Sequence, residues 1–342
     1  MIIAGLRWMF LILGTMIGAG YASGRELWQF FGQESSLAII IFTLLFIIST
    51  YIIMTVSYHN QSVHYLPVLK TILGNKMAVV YDILLLFSLF TTTVIMMAGG
   101  GASLEIFHIP YWGGVAIIGT LLVLVFLKGH NGMITINTMI VPFLIILLVA
   151  VLLMVSKKTP DIFNISWDKQ SNWTSAFTFT ALNVVSLAPV MGAVGRDIKT
   201  KGEIWIASIG SGVILGSISL LYNQSLIQIT KDLIFYEIPL YALIKSFPYL
   251  LTVIMSIVLW FAIFTTAATG ILGLVTRVKK YIKLPMWVLC LFLILIMIPL
   301  TAFGFSSLIS IIYPIYGLFN LYFLAALMIY PILLQQEKGK YK

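Results

Sequence analysis

Charged residues are scarce in this sequence. Of its 342 residues, 9% are Asp, Glu, Lys or Arg and 61% are hydrophobic, and the mean hydropathy is +1.06. Soluble domains contain about 25% charged residues, so the composition excludes a water-soluble globular enzyme and a disordered chain. It also excludes a nucleic-acid-binding protein, despite the net charge of +9.

Cysteine is almost absent too. The one cysteine, Cys290, lies in an apolar run, which excludes a disulfide framework, a thiolate metal site and an iron–sulfur site. The histidines His59, His64, His108 and His130 show no metal-ligand spacing. No HExxH, Walker A or nucleophile-elbow motif is present, so the sequence gives no support for an enzyme.

Long unbroken apolar runs indicate transmembrane helices, at about 20 residues per span. The segment 235–247 is too short to span and predicts a helix on one membrane face. No linker or soluble domain is visible, so residues 1–342 are interpreted as one all-α polytopic membrane domain. Ten spans are predicted, at approximately 3–31, 36–57, 77–104, 112–127, 133–156, 174–196, 203–223, 248–276, 284–303 and 307–333.

The basic residues predict the orientation. With the amino terminus inside, 14 of the 20 Lys and Arg residues fall on the cytoplasmic side. By the positive-inside rule, both termini are predicted to be cytoplasmic. A signal peptide is a less favoured interpretation of the amino-terminal run, because the span continues apolar through Trp28, Phe30 and Phe31.

The first span contains an unusual glycine-rich stretch. Five of the thirteen positions 13–25 are glycine or serine, and each glycine lowers helix stability by about 1 kcal/mol. Close helix packing through small residues is one interpretation. The favoured interpretation is a segment unwound at the middle of the membrane, which is tolerated only where it lines a cavity.

The sixth span has a second candidate interruption. Pro189 removes a backbone donor, and Asn183 and Ser186 are polar at membrane depth. Both candidate breaks lie near the start of a five-span half, 1–156 or 170–333. Because five is odd, the halves enter the membrane in opposite directions, which predicts a 5+5 inverted repeat and a transporter site at the paired breaks.

The stretch Gly14–Gly20, read Gly-Thr-Met-Ile-Gly-Ala-Gly, resembles the unwound first helix of LeuT-fold secondary transporters. These belong to the amino acid–polyamine–organocation superfamily and its neurotransmitter:sodium symporter relatives. The continuation Tyr21–Glu26 is most similar to YkvI-like bacterial membrane proteins. The resemblance covers the whole chain in span count and repeat order. It implies a LeuT-like fold in the bacterial cytoplasmic membrane, with helices 1 and 6 unwound.

The eighth span places hydroxyls on one helix face, because Ala262, Thr265, Thr266 and Thr269 are spaced three and four apart. Hydrogen bonding of each threonine to its own helix is one interpretation. The resemblance implies a sodium site, with sodium as the coupling ion and no other cofactor. The implied ligands are Gly14, Ile17, Ala262, Thr265 and Thr266.

The fifth span contains no Lys or Arg. Some proton-coupled relatives place a lysine at the ion position, so this absence favours sodium. A second sodium site is not expected, since Tyr21 stands where the relatives that have one carry asparagine.

A substrate pocket is predicted between the two breaks. Free amides at Gly18, Ala19 and Gly20 favour a carboxylate, and the carbonyls of both breaks accept an ammonium group. Neither break contains an acid or a base, so a small neutral zwitterion is favoured over a charged solute. The candidate substrate-binding residues are Thr15, Met16, Gly18, Ala19, Gly20, Phe179, Thr180, Asn183 and Ser186.

Further polar residues have two interpretations each. Arg25 and Glu26 are candidate gate residues on the outer side, or alternatively an interfacial pair that reaches water. Asp82 is expected to pair with a basic residue of a loop rather than to relay protons.

The sequence therefore predicts a secondary transporter, sodium-coupled and specific for a neutral amino acid or similar zwitterion, working by alternating access. Spans 1, 2, 6 and 7 are expected to rock against spans 3, 4, 8 and 9. A proton-coupled or exchanging permease and a non-transporting ligand sensor on the same scaffold are the alternatives. The solute, the direction of transport and the oligomeric state are not determined by the sequence.

Overall fold

A computed structural model describes residues 1–127, 131–158, 165, 167–279 and 282–340, without the side chains of 131–141 and 333–340. The described residues form helices and no strands. The helices are α1 Ile2–Met16, α2 Ala19–Ala22, α3 Arg25–Phe30, α4 Ser36–His59, α5 Leu66–Leu104, α6 Tyr111–Leu127, α7 Asn131–Lys158, α8 Ser175–Ala193, α9 Lys201–Gln228, α10 Pro239–Ile244, α11 Tyr249–Val278, α12 Met286–Thr301 and α13 Phe305–Lys340.

All ten predicted spans correspond to helices, and the first is divided into α1, α2 and α3. Six helices, α4, α5, α8, α9, α11 and α13, are long and apolar enough to cross a membrane, and α1, α6 and α12 are shorter apolar helices. The prediction of an all-α polytopic membrane protein is confirmed. The short helix α10 lies inside the predicted segment 235–247. The orientation and the inverted repeat stay predictions.

The helices pack into two groups. In one group α9 packs on α1 and α4, and α4 also packs on α8; in the other, α5 packs on α11, α6 and α12. These groups contain spans 1, 2, 6, 7 and spans 3, 4, 8, 9, the two sets expected to move relative to each other. The helices α7 and α13 pack along the edges of both groups.

The helix α5 contains a kink at Gly74, where φ is 76° and ψ is 171°. Only glycine adopts this conformation without steric cost. The kink separates a short leading segment from the apolar part of the helix, which explains why the third span is predicted to start at residue 77.

The predicted break in the sixth span is wrong, and with it the expectation that helix 6 is unwound. The helix α8 runs continuously over Ser175–Ala193. Its polar residues bond within the helix: Asn183 Nδ2 donates to Phe179 O at 2.9 Å, and Ser186 Oγ donates to Leu182 O at 3.2 Å. Pro189 falls in the last five residues, where its missing donor interrupts little of the ladder.

Replacing Pro189 by Ala is expected to stabilise the protein, because proline in a helix interior is disfavoured relative to alanine by at most about 3 kcal/mol. Thermal unfolding in detergent measures the gain. Pro314→Ala in the interior of α13 is the matched control. A gain for Pro314→Ala without one for Pro189→Ala would contradict a continuous α8.

Candidate functional site

The first span is interrupted at Ile17 and Gly18. The helix α1 ends with Ile17 N donating to Leu13 O at 2.8 Å, and Ile17 then adopts φ −84° and ψ 66°. Gly18 is extended, with φ −83° and ψ −173°, and Ala22 N donates to Gly18 O at 2.9 Å. The predicted unwinding of the first helix is confirmed.

This interruption leaves peptide groups unpaired, as a helix end does. In the described part of the chain, the carbonyl oxygens of 14–17 and the amides of 18–21 have no backbone partner across the break. Gly14, Thr15 and Gly18 are only partly buried, although they lie in the middle of the span. The break therefore presents acceptors on one side and donors on the other.

The threonine face of α11 lies against the break. A Cβ atom at Gly18 would lie 3.9 Å from Thr266 Oγ1. Thr265 Oγ1 and Thr266 Oγ1 both donate to Ala262 O, at 3.1 Å and 2.8 Å, and Thr269 Oγ1 donates to Thr265 O at 2.8 Å. Each hydroxyl donates its one proton within the helix and keeps lone pairs available.

The two interpretations of the threonines are thus compatible. Their protons stabilise the helix, and their oxygens can still act as ligands. Ala262 O already accepts two hydroxyls, which makes it a weaker candidate ligand than the two threonine oxygens. Across the described residues, no three His, Cys, Asp or Glu side chains come together as metal ligands.

Several predicted substrate residues use their side chains for hydrogen bonds within a helix or for packing. Thr15 Oγ1 donates to Leu11 O at 2.8 Å, and Met16 is buried. Thr180 Oγ1 donates to Ala176 O at 2.6 Å and is fully buried. Phe179 has ring neighbours at 4.7–5.2 Å, so it contributes to aromatic packing; these neighbours are Phe30, Phe31 and Phe42.

Glu26 lies at a position that sequence reasoning missed. A Cβ atom at Gly20 would lie 2.8 Å from Glu26 Oε2 and 3.4 Å from Tyr313 Oη, and Asn183 interacts with the carboxyl. Neither break contains an acid along the sequence, as predicted, but the fold brings this carboxyl beside the first break. Gly24, with φ 79°, separates α2 from α3, an interruption that the apolar pattern of the span does not reveal.

The other gate candidate, Arg25, interacts with different residues from those around Glu26. Its guanidinium interacts with Glu237, whose carboxylate also accepts from Ser306 N at 2.6 Å. The pair Arg25 and Glu26 is thus divided between two environments, one charged and one neutral.

Hydrogen bonds fix α2 to α9 and α10. Tyr21 Oη lies 2.7 Å from Ser219 Oγ and donates to Leu215 O at 3.2 Å. Tyr222 Oη donates to Ala22 O at 2.9 Å. Leu240 N donates to Ser23 O, also at 2.9 Å. Tyr21 therefore has a structural role at the position where some relatives are expected to carry an ion ligand.

Asp82 pairs with a basic residue, as predicted, but this partner lies in a helix and not in the predicted loop. Its carboxylate accepts from Arg277, in the last turn of α11, and from the hydroxyl of Tyr65. The pair joins α5 and α11 within one helix group.

A cavity of about 650 Å³ lies between α3, α8 and α13, and its lining includes Phe30, Ser175 and Pro314. None of the predicted site residues lines this cavity.

The chain is 45% identical over 330 residues to the uncharacterized protein YyaD of Bacillus subtilis (strain 168), covering 96% of the chain and 98% of YyaD. The chain belongs to the family of YyaD. This YyaD-family chain is also 24% identical over 332 residues to the uncharacterized membrane protein YkvI of the same bacterium, covering 93% and 94%. No protein-family model matches the sequence.

Solved structures share the fold of this YyaD-family chain. MhsT in complex with L-phenylalanine aligns with a TM-score of 0.69 at 13% identity, covering 93% of the chain and 87% of MhsT. A mutant of the Eremococcus coleocola manganese transporter aligns with a TM-score of 0.56 at 14% identity, covering 94% of the chain and 77% of the transporter. Mhp1 in its inward-facing conformation aligns with a TM-score of 0.53 at 12% identity, covering 93% of the chain and 72% of Mhp1. The resemblance to the LeuT fold is confirmed.

Removing the hydroxyls that fix α2 is expected to destabilise the protein. Tyr21→Phe and Tyr222→Phe should each lower the free energy of unfolding by about 1 kcal/mol, because a buried partner loses its hydrogen bond. Thermal unfolding measures the effect. Tyr51→Phe is the control, because the Tyr51 hydroxyl bonds to no described residue while its ring packs on Trp205. Equal stability of all three variants would contradict this role.

Proposed function

We propose that this protein is a secondary transporter that carries a neutral amino acid or a similar small zwitterion together with sodium. The observation that carries the proposal is the contact between the first-helix break at Gly18 and Thr266 on α11. Transport is by alternating access, as two helix groups move relative to each other. The fold is one in which a solved neighbour, MhsT, binds L-phenylalanine.

The sodium site consists of oxygens from both helix groups. Gly14 and Ile17 offer carbonyls at the end of α1, where the negative end of the helix dipole favours a cation. Thr265 and Thr266 offer hydroxyl oxygens from α11. Hard monovalent cations prefer oxygen ligands of this kind. The fifth span contributes no Lys or Arg to occupy the position in place of an ion.

The zwitterion binds at the peptide groups of the break. The free amides of 18–21 favour its carboxylate, and the free carbonyls of 14–17 favour its ammonium group. One sodium charge moved through a potential of 100 mV supplies about 2.3 kcal/mol, or roughly fifty-fold accumulation of a neutral solute.

Uptake into proteoliposomes across an amino-acid panel tests the proposal. At least one solute should be taken up faster with an inward sodium gradient than with potassium. If sodium stimulates the uptake of none of the solutes, the proposed sodium coupling is contradicted. Binding without flux would instead identify a ligand sensor, and uptake driven by a pH gradient in sodium-free buffer would identify proton coupling.

The double variant Thr265→Val with Thr266→Ala tests the ion site. Sodium-stimulated uptake should fall to the sodium-free rate, because both hydroxyl ligands are lost while the helix remains. Thr276→Val is the matched control, since Thr276 Oγ1 also donates to its own helix, to Leu272 O at 2.8 Å, but lies near the end of α11. Unchanged sodium dependence in the double variant would place the ion elsewhere.

A thermal-shift screen complements uptake because it does not require turnover. An amino acid present at one hundred times its Kd should stabilise the folded protein by about 2.7 kcal/mol. The stabilisation by the amino acid should be larger in sodium than in potassium, because the amino acid and the sodium ion bind adjacent groups of the same break. A ligand that stabilises equally in both salts would contradict coupling at this site.

A further inference from the structure

A carboxyl group lies among neutral groups inside the helix bundle. The Glu26 side chain is 8% exposed, and its neighbours are Gly20 on α2, Asn183 on α8 and Tyr313 on α13. We call these four residues the Glu26 cluster. It joins four helices, α2, α3, α8 and α13, next to the first-helix break.

Among the described residues, no Lys, Arg or His side chain forms an ion pair with this carboxyl within 4.0 Å. The titratable or polar groups that interact with it electrostatically are Tyr21, Tyr313 and Asn183, although the Tyr21 hydroxyl itself lies 2.7 Å from Ser219 Oγ on α9. On its own helix, the neighbouring Arg25 interacts with Glu237 instead. In the described ranges, the ion pairs within 4.0 Å join other residues, namely Lys245 with Asp232 and Arg277 with Asp82.

An ionised carboxylate without a cationic partner is costly inside a membrane protein. The carboxyl packs directly against the backbone of α2, since Oε2 lies 2.8 Å from where a Cβ at Gly20 would be. Protonation removes the charge without requiring a further partner group. A protonated carboxyl both donates and accepts hydrogen bonds, so it can bond to an amide or a phenol without carrying a charge.

We propose that Glu26 is a proton-binding site, protonated while the Glu26 cluster is closed and ionised when the cluster opens to water. An O–H bond forms at the carboxylate with a proton from the water on the open side, and the same bond breaks on release. The cluster joins α13 to the two parts of the first span and to α8, so opening it requires these helices to separate. The proton state of Glu26 is thereby linked to that movement.

This proposal rests on the proposed function only in giving the proton a place in a transport cycle. The protonation itself is independent of any solute. Sodium at the threonine face and a proton at Glu26 are separate sites, so loss of one leaves the other measurable.

Infrared difference spectroscopy of the purified full chain at neutral pH tests the protonation. The wild type should show the carbonyl stretch of a protonated carboxylic acid, and Glu26→Gln should lose it. Glu203→Gln is the matched control and should not change the band. Glu203 is 3% exposed but its oxygens accept from Trp8 Nε1 at 3.1 Å and Thr200 Oγ1 at 3.1 Å.

Loss of an ionised-carboxylate band in Glu26→Gln, in place of the carbonyl band, would overturn the proposal. If the glutamine variant does not fold, Glu26→Asp keeps a carboxyl in a shorter side chain and should shift the carbonyl band. An unshifted band in the aspartate variant would equally overturn it.

Proteoliposomes containing a pH-sensitive dye test the link to transport. For a solute of the amino-acid panel that is taken up, the wild type should move protons with the solute, and in Glu26→Gln the ratio of protons to solute should fall to background. Proton movement that persists in the variant would overturn the link. If no amino acid is transported, the proposed function fails, while the infrared measurement still decides whether Glu26 holds a proton.

Discussion

Unpaired peptide groups inside the first span constrain the helices around them. An unsatisfied N–H or C=O group in hydrocarbon costs several kcal/mol, so the interruption at Ile17 and Gly18 must lie against polar groups or water. The neighbour that the structure provides is α11, with Thr266 beside Gly18. The Thr266 hydroxyl already donates its proton to Ala262 O, so only its lone pairs are available, to the free amides, and the free carbonyls of 14–17 are left to water or a bound ligand.

This arrangement places the polar region at the boundary between two helix groups. Within one group, the first span is bound to α9 at both ends, through Trp8 Nε1 donating to Glu203 Oε2 at 3.1 Å and through Tyr21 beside Ser219 at 2.7 Å. Within the other, α5 and α11 are joined by an ion pair. A cation held between the break and α11 would therefore contact both groups, which is the condition for linking ion binding to their relative movement.

Much of this fold could be predicted from the sequence, because membrane helices have a strong one-dimensional signal. The ten spans followed from apolar length, and the break in helix 1 followed from clustered glycines. The same reasoning was wrong for α8. A single proline near the end of a helix interrupts little of it, and Asn183 satisfies itself by donating to Phe179 O at 2.9 Å. In the first span four glycines within eleven residues, Gly14, Gly18, Gly20 and Gly24, together weaken the helix.

The position of Glu26 could not be predicted, because it depends on the backbone conformation at Gly24 and not on a pattern. Counting along a continuous helix, Glu26 lies more than one turn from Gly20, towards the water. Gly24 in the left-handed conformation returns the side chain to the break instead. A zwitterion beside a permanently charged carboxylate would meet a net negative pocket, and a cationic solute would then be preferred. If Glu26 is protonated as proposed, the pocket is neutral, and selection of a neutral solute would depend on the same proton that allows the carboxyl to be buried.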